Sequence, residues 1–228
     1  MLVIGHRGAK GLAPENTILG LEKALQHGAD AVEVDVHITK DGIPVLTHNA
    51  DTADAAGNLL RVADATYAEL KAHKADLPTL EAAIAYLNRR IPIIIEVKPG
   101  ESTAPVIAVV ESFRMRGWQA SDIHFISFDF QVLKELRAAF PDHILIVDEM
   151  WSSVRAHWRA YRLGTKHISL YTPFLWNGFV KMVSRRGWQL YAFPLNDTAK
   201  ASRWAKLGFA GAITDFPDRF ESPAKSTK

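Results

Sequence analysis

Short apolar runs rich in Val and Ile alternate along the chain with longer stretches in which apolar residues recur every few positions. Runs of the first kind are the mark of strands buried on both faces of a parallel sheet, and stretches of the second kind are the helices that cover it. The strand candidates are Leu2 to Gly5, Ala31 to Val36, Ile91 to Val97, Ile123 to Ser127, Ile144 to Asp148, His167 to Tyr171, Gln189 to Phe193 and Gly211 to Thr214. Eight strands with helices between them are the count of a closed barrel. The expected fold class is therefore α/β, a (β/α)8 TIM barrel.

Helix signals agree with this alternation. Pro14-Glu15-Asn16-Thr17 precedes a helix with Ile18, Leu21 and Leu25 on one face and Gly28 as its stop. Asn16 and Glu15 read as the cap and the first-turn acid of that helix. Asn196-Asp197-Thr198 opens a similar late unit, with Ala201, Trp204 and Leu207 on one face and Gly208 behind it. The rhythm breaks after strand two, where Asp41-Gly42 signals a turn and Pro44 to His48 a short extra run. Small and polar residues follow to Leu77, with a weak helix near Tyr67 to His73. We expect a small insertion over about residues 37–77 that shapes the barrel mouth, then a good helix from Leu80 to about Arg90. Residues 1–228 are expected to form a single domain.

Composition narrows the partners. With 48% hydrophobic and 23% charged residues, the chain has the balance of an ordinary globular protein. Its 27 basic and 25 acidic residues nearly cancel, and no basic run precedes the tail Lys225-Ser226-Thr227-Lys228, which argues against nucleic acid as a partner. The absence of cysteine removes disulfides and thiolate metal sites, and it is compatible with a reducing compartment. Met1 to Ile4 lead straight into Gly5-His6-Arg7 without the apolar core of a signal peptide, and no apolar run approaches the roughly 20 residues of a bilayer span. A cytoplasmic protein with no integral membrane segment is the expectation.

Candidate chemistry collects at the ends of the first three strands, where a β/α barrel gathers its loops around one opening. His6 and Arg7 follow strand one, Glu33 and Asp35 share a face of strand two, and Glu96 and Lys98 share a face at the end of strand three. Three carboxylates brought together without compensation would each lose solvation and repel one another, so a cation is expected among Glu33, Asp35 and Glu96. An all-carboxylate shell suits Mg²⁺ or Ca²⁺ better than zinc. Arg7 and Lys98 add the positive field a phosphoryl group seeks, and His6 and His48, from different loops, suit a base and an acid on opposite sides of it. His37 shares the face of Glu33 and Asp35 but falls beyond the expected strand end, and is not taken as a ligand. Trp151, Trp158, Tyr161 and Trp176 read first as packing, with any exposed part available as a homodimer contact.

Taken in order, His6-Arg7-Gly8-Ala9, Pro14-Glu15-Asn16-Thr17, Glu33-Val34-Asp35-Val36, Thr39-Lys40-Asp41-Gly42, Pro44-Val45-Leu46-Thr47-His48 and Glu96-Val97-Lys98-Pro99 resemble the signature series of the glycerophosphodiester phosphodiesterase family. Ser127-Phe128-Asp129 and Ile213-Thr214-Asp215-Phe216-Pro217-Asp218 extend the resemblance over nearly the whole chain. It implies hydrolysis of glycerophosphodiesters to an alcohol and sn-glycerol 3-phosphate with one divalent cation. Glu33, Asp35 and Glu96 would be metal ligands, His6 and His48 the acid/base pair, and Arg7 and Lys98 the phosphate holders. It also implies attack by the glycerol 2-hydroxyl on phosphorus, giving a cyclic phosphate that water opens. Asn49 to Asp54 and Tyr191-Ala192-Phe193-Pro194 depart from the family pattern near the expected substrate rim. A lysophospholipase D-like activity on lysophospholipids is the alternative within this fold, and a barrel that binds phosphodiesters without cleaving them is the alternative outside catalysis.

Overall fold

Segments buried on both faces can satisfy their N–H and C=O groups only by pairing along both edges, and the apolar runs do so as strands. The structure, a computed structural model, describes residues 1–220. Its first half runs β1 (Leu2–Gly5), α1 (Ile18–Gln26), β2 (Ala31–Ile38), β3 (Pro44–Leu46), β4 (Asp51–Ala53), β5 (Leu59–Arg61), α2 (Tyr67–His73), α3 (Leu80–Leu87), β6 (Ile93–Val97) and α4 (Ala104–Met115). The second half runs β7 (Ile123–Ser127), α5 (Phe130–Ala139), β8 (Leu145–Glu149), α6 (Ser153–Arg162), β9 (His167–Tyr171), α7 (Asn177–Arg185), β10 (Gln189–Phe193), α8 (Thr198–Ala205) and β11 (Gly211–Thr214). Strands β1, β2 and β6 to β11 pair in parallel, and β1 pairs with both β2 and β11, so the sheet closes on itself as the expected TIM barrel.

The core has two layers. Ile4, Ile94, Ile126, Ile146 and Ile213 fill the barrel interior together with Tyr191. Outside it, strand residues such as Val32, Ile95 and Val147 share one apolar cluster with Leu21, Ile84, Leu133 and Val180 from the helices. Among the described residues no helix is long and apolar enough to cross a membrane.

Where the elements differ from the pattern, local chemistry explains it. Strand β2 continues past Val36 to Ile38 because Pro44–Leu46 folds back antiparallel on it, pairing Val36 with Leu46 and His37 with Val45. Helix α3 stops at Leu87, ahead of Arg90, where Asn88 and Arg89 turn left-handed at φ 44° and 60°. Thr17, not Asn16, caps α1, its side chain accepting from Gly20 N. The segment beyond β3 builds a small core of its own from Val45, Val62, Ala65, Leu70 and Leu77, beside the antiparallel pair β4 and β5. The packing role expected of the aromatic cluster fails for most of it: Trp151, Tyr161 and Trp176 stand 72%, 78% and 63% exposed.

Candidate active site

The first site residues sit on a turn that only glycine allows. His6 N still donates to Thr214 O at 2.9 Å, so the residue after β1 remains tied to β11. Arg7 and Gly8 then take φ 52° and 87°, and a Cβ on Gly8 would lie 2.7 Å from the Gly20 carbonyl carbon. The turn is fastened to β2, with Arg7 N donating to Glu33 Oε2 at 2.9 Å and Gly8 N to the Glu33 carbonyl at 3.0 Å. Main chain and side chain of one residue thus hold His6 and Arg7 against the neighbouring strand.

Strand register brings the carboxylates together. Asp35 lies opposite Glu96 across the β2–β6 ladder, and alternation along β2 puts Glu33 on the same face. Each of Glu33, Asp35 and Glu96 is buried and offers an oxygen within 4.8 Å of the others. Lys98 Nζ bridges Asp35 Oδ1 at 2.5 Å and Glu96 Oε1 at 2.8 Å, while Arg7 Nε lies 3.3 Å from Asp35 Oδ2. Asn16, buried and left-handed at φ 56°, donates from Nδ2 to Asp35 Oδ2 at 2.8 Å and accepts from Asp35 N at 3.0 Å. Glu15 receives Arg7 Nη1 at 3.0 Å, so the residues expected to serve α1 brace the site instead.

These contacts divide the carboxylates. Burial alone would raise Asp35, but Lys98 and Arg7 outweigh it and hold the group down at about 2. Burial and then the charge of Asp35 push Glu96 up to about 7, and the same two causes push Glu33 well above the usual carboxylate range. Burial works against the Lys98 charge, yet Asp35 and Glu96 more than offset it and raise the amine above its ordinary value. Two side-chain cations therefore face three carboxylates, and buried Glu33 Oε1 has no hydrogen-bond partner among the described residues. An oxygen-only donor set with an orphaned buried acceptor has the chemistry of a hard divalent cation site.

The two histidines enter on different loops, His6 after β1 and His48 after β3. His6 Nδ1 lies 2.6 Å from Asp215 Oδ1, just past β11, and Asn196 Nδ2 donates to the other Asp215 oxygen at 2.8 Å. Burial opposes the Asp215 charge, but the hydrogen bonds from His6 and Asn196 take its carboxyl down to about 2. His48 follows β3 and is half-buried, its Nδ1 2.8 Å from Asn49 Oδ1. Burial and then the Lys98 charge lower the His48 pKa, which favours the neutral imidazole. In both rings Nδ1 is engaged, leaving Nε2 for a ligand.

A cavity of about 280 Å³ joins these groups, and His6, Arg7, Glu33, His48, Glu96 and Lys98 all line it. Asp35 does not reach its wall, because Lys98, Arg7 and Asn16 cover the carboxylate. His37 is not at the wall either, its Nδ1 lying 2.6 Å from Glu101 Oε1. Sequence reasoning missed Asp148, which lines the cavity from the end of β8 with a buried Oδ1 that has no partner among the described residues. Burial and the charge of Glu96 push its carboxyl well up. The signal was an acid at a strand's C-terminal end, the same one that marks Glu96. Asp215 lies within Ile213-Thr214-Asp215-Phe216-Pro217-Asp218, a motif that by itself points to no role for it. The apolar side of the cavity includes Phe128, Met150, Tyr171, Phe193 and Pro194, so the departure at Phe193-Pro194 does face the pocket.

Acids, cations and paired imidazoles at the C-terminal mouth of a parallel barrel define a hydrolase built around a phosphoryl group. The chain belongs to the glycerophosphoryl diester phosphodiesterase family, whose profile matches residues 6–219, and it is a phosphoric diester hydrolase. It is 27% identical to a glycerophosphodiester phosphodiesterase of Caldanaerobacter subterraneus, over 95% of each chain. It is similar to the structure of an Oleispira antarctica phosphodiesterase in complex with the product sn-glycerol-3-phosphate, at a TM-score of 0.86 and 26% identity over 99% of this chain and 97% of that one. The Thermotoga maritima glycerophosphodiester phosphodiesterase superposes at a TM-score of 0.78, with 25% identity over 96% of both chains.

Proposed function

We propose that the protein hydrolyses glycerophosphodiesters to an alcohol and sn-glycerol 3-phosphate, with one divalent cation, Mg²⁺ or Ca²⁺, held by Glu33, Asp35 and Glu96. The observation that carries this reading is the cluster of three carboxylates within 4.8 Å of one another, beside Arg7, Lys98 and two imidazoles around one cavity. When bound, a cation there neutralises carboxylate charge and polarises a phosphoryl oxygen as a Lewis acid.

The remaining work falls to the chain's own side chains. Arg7 and Lys98 hold the phosphate, and their charges favour the anionic substrate over its alcohol product. His48, its neutral form favoured by burial and Lys98, takes the proton of the glycerol 2-hydroxyl as its oxygen bonds to phosphorus. His6, oriented through Nδ1 by Asp215, gives a proton from Nε2 to the alcohol oxygen as the P–O bond to that alcohol breaks. The cyclic phosphate is then opened by water with the two histidines in exchanged roles. Release of glycerol 3-phosphate from glycerophosphocholine in Mg²⁺ or Ca²⁺ is the test. Undiminished turnover in EDTA, or by a His6→Ala variant, overturns the mechanism.

A further inference from the structure

We propose that the outer faces of α6 and α7 form a docking surface for an anionic lipid bilayer, against which the barrel lies by its flank. This goes beyond the phosphodiesterase reading and is independent of it. Helix α6 carries two apolar stripes. Ala156 and Ala160 face the core, whereas Val154, Trp158 and Tyr161 share the opposite side of the helix and are 79%, 52% and 78% exposed. Met182 on α7 is exposed as well, and none of these residues lines the catalytic cavity. The rings of His157 and Trp188 meet with centroids 4.5 Å apart, joining α6 to the segment that follows α7. The helices after the paired strands β8 and β9 thus present one continuous flank.

Charge on this flank has one sign. From Met150 to Asn196 the chain has seven Lys or Arg and no Asp or Glu, whereas the rest of it has 20 basic and 25 acidic residues. Glu149 takes up Arg155 and Arg159, but Arg162, Lys166, Lys181, Arg185 and Arg186 form no ion pair among the described residues. A cation in the last turn of a helix is ordinary, yet helix ends do not account for so long a stretch without an acid. A second copy docking through this face about a two-fold axis would set cations against cations, so a homodimer does not fit it. The surface needs a partner that is anionic and also shelters apolar rings. Single-stranded nucleic acid is anionic too, but it is held in grooves, and these rings stand on the convex side of a helix. At the headgroup layer of a bilayer Trp and Tyr find an apolar depth and a polar edge together. Anionic lipids there attract Lys and Arg, each cation favouring the surface by about fivefold.

The experiment sediments the full chain with vesicles of phosphatidylcholine alone and of phosphatidylcholine with an equal share of phosphatidylglycerol. Partitioning onto the anionic vesicles should exceed that onto the neutral ones about tenfold or more. The excess should fade as added salt shortens the screening length from about 10 Å at 0.1 M to about 3 Å at 1 M. Arg162→Glu/Arg185→Glu should lower partitioning onto the anionic vesicles about tenfold or more, and Trp158→Ala/Tyr161→Ala should lower it as well. All four side chains are exposed and none lines the cavity, so thermal melting should show both variants folded and turnover of glycerophosphocholine should match wild type. Equal partitioning onto the two kinds of vesicle, or wild-type partitioning by the charge-reversed variant, overturns the docking surface. So does capture of a single-stranded oligonucleotide in place of vesicles, or a solution dimer that Trp158→Ala/Tyr161→Ala dissociates. Each of these results leaves the phosphodiesterase reading intact, and a wild-type protein that turns over no diester overturns that reading alone.

Discussion

Asp215 Oδ1 lies 2.6 Å from His6 Nδ1, joining residues 209 positions apart in the chain. The contact exists because β1 and β11 close the barrel side by side, with Gly5 opposite Thr214. In the proposed mechanism Asp215 is thereby a positioning residue, fixing the ring that would present Nε2 to the substrate. Asp215→Asn should lower kcat about tenfold to a hundredfold, the range that loss of a hydrogen-bonded carboxylate costs at a metal-bound histidine, with KM little changed. His6→Ala should cost about a hundredfold to ten-thousandfold, the usual share of an acid/base group. Steady-state kinetics on glycerophosphocholine decides, and an Asp215→Asn variant with wild-type kcat refutes the positioning role.

The same pair has a signature in acid. Asp215 falls from an ordinary 3.8 to about 2 in the folded protein, so its ionised form is favoured by folding. A lowered carboxyl contributes stability above its unfolded value and loses it as pH drops through the folded one. The contribution, about 2 kcal/mol at neutral pH, should fade between about pH 4 and pH 2. Urea midpoints of wild type and Asp215→Asn should therefore differ at pH 6 and converge on acidification, and a constant gap is the contrary result.

Asp148 should behave in the opposite sense. Its carboxyl is pushed well above an ordinary 3.8 by burial and by Glu96, so folding favours the protonated form. As pH rises past the unfolded value, the unfolded chain loses its proton first and Asp148 erodes stability. Asp148→Asn, neutral at every pH, should gain on wild type as metal-free protein is taken upward from about pH 4, where the unfolded carboxyl is ionised and the folded one still holds its proton. An unchanging difference between the two urea midpoints would show that Asp148 is ionised in the fold.

Cation binding should stabilise the fold by mass action, because the oxygen cluster is assembled only in the folded state. At about a hundred times the dissociation constant the gain is roughly 2.7 kcal/mol, a rise of about 5 to 11 °C in Tm for a domain of this size. Melting curves in EDTA, Mg²⁺ and Ca²⁺ will show which ion is preferred. Glu33→Gln/Glu96→Gln should melt higher than wild type in EDTA, having lost mutual repulsion among buried acids, and should no longer respond to the ion. Equal ion-induced shifts in both proteins would place the cation elsewhere.

Much of this arrangement was legible in the order of residues because strands report their own buried faces. The alternation Glu33, Asp35 and Glu96, Lys98 places these residues without any knowledge of their neighbours, and β1, β7, β9, β10 and β11 have the limits that their apolar runs suggest. What stayed hidden depends on contacts distant in sequence. Asn16 looks like a helix cap by residue type, yet adjacent Thr17 takes that role, and Asn16 is free to hold Asp35 from both its carbonyl and its amide. The exposure of the Trp151, Trp158, Tyr161 and Trp176 cluster is not legible in its residue types, because large rings are usually sheltered. In α6, Ala156 and Ala160 face the core instead, which turns Trp158 and Tyr161 outward. Asp148 carries the right residue type in the right place, but one acid without a partner two positions away gives no pattern.

The fold-back of β3 onto β2 has a consequence for how this enzyme can vary. Thr47 N donates to the Asp35 carbonyl at 3.1 Å, so the strand that delivers His48 is measured off against the strand that carries Asp35. Extra residues at the Lys40-Asp41-Gly42 tip would only lengthen a hairpin loop, whereas a single residue added between Pro44 and Thr47 would reverse the side to which every later side chain of that strand points. Length at the tip is thus open to drift among descendants of this chain, while spacing along the returning strand acts as a ruler between His48 and the acidic cluster.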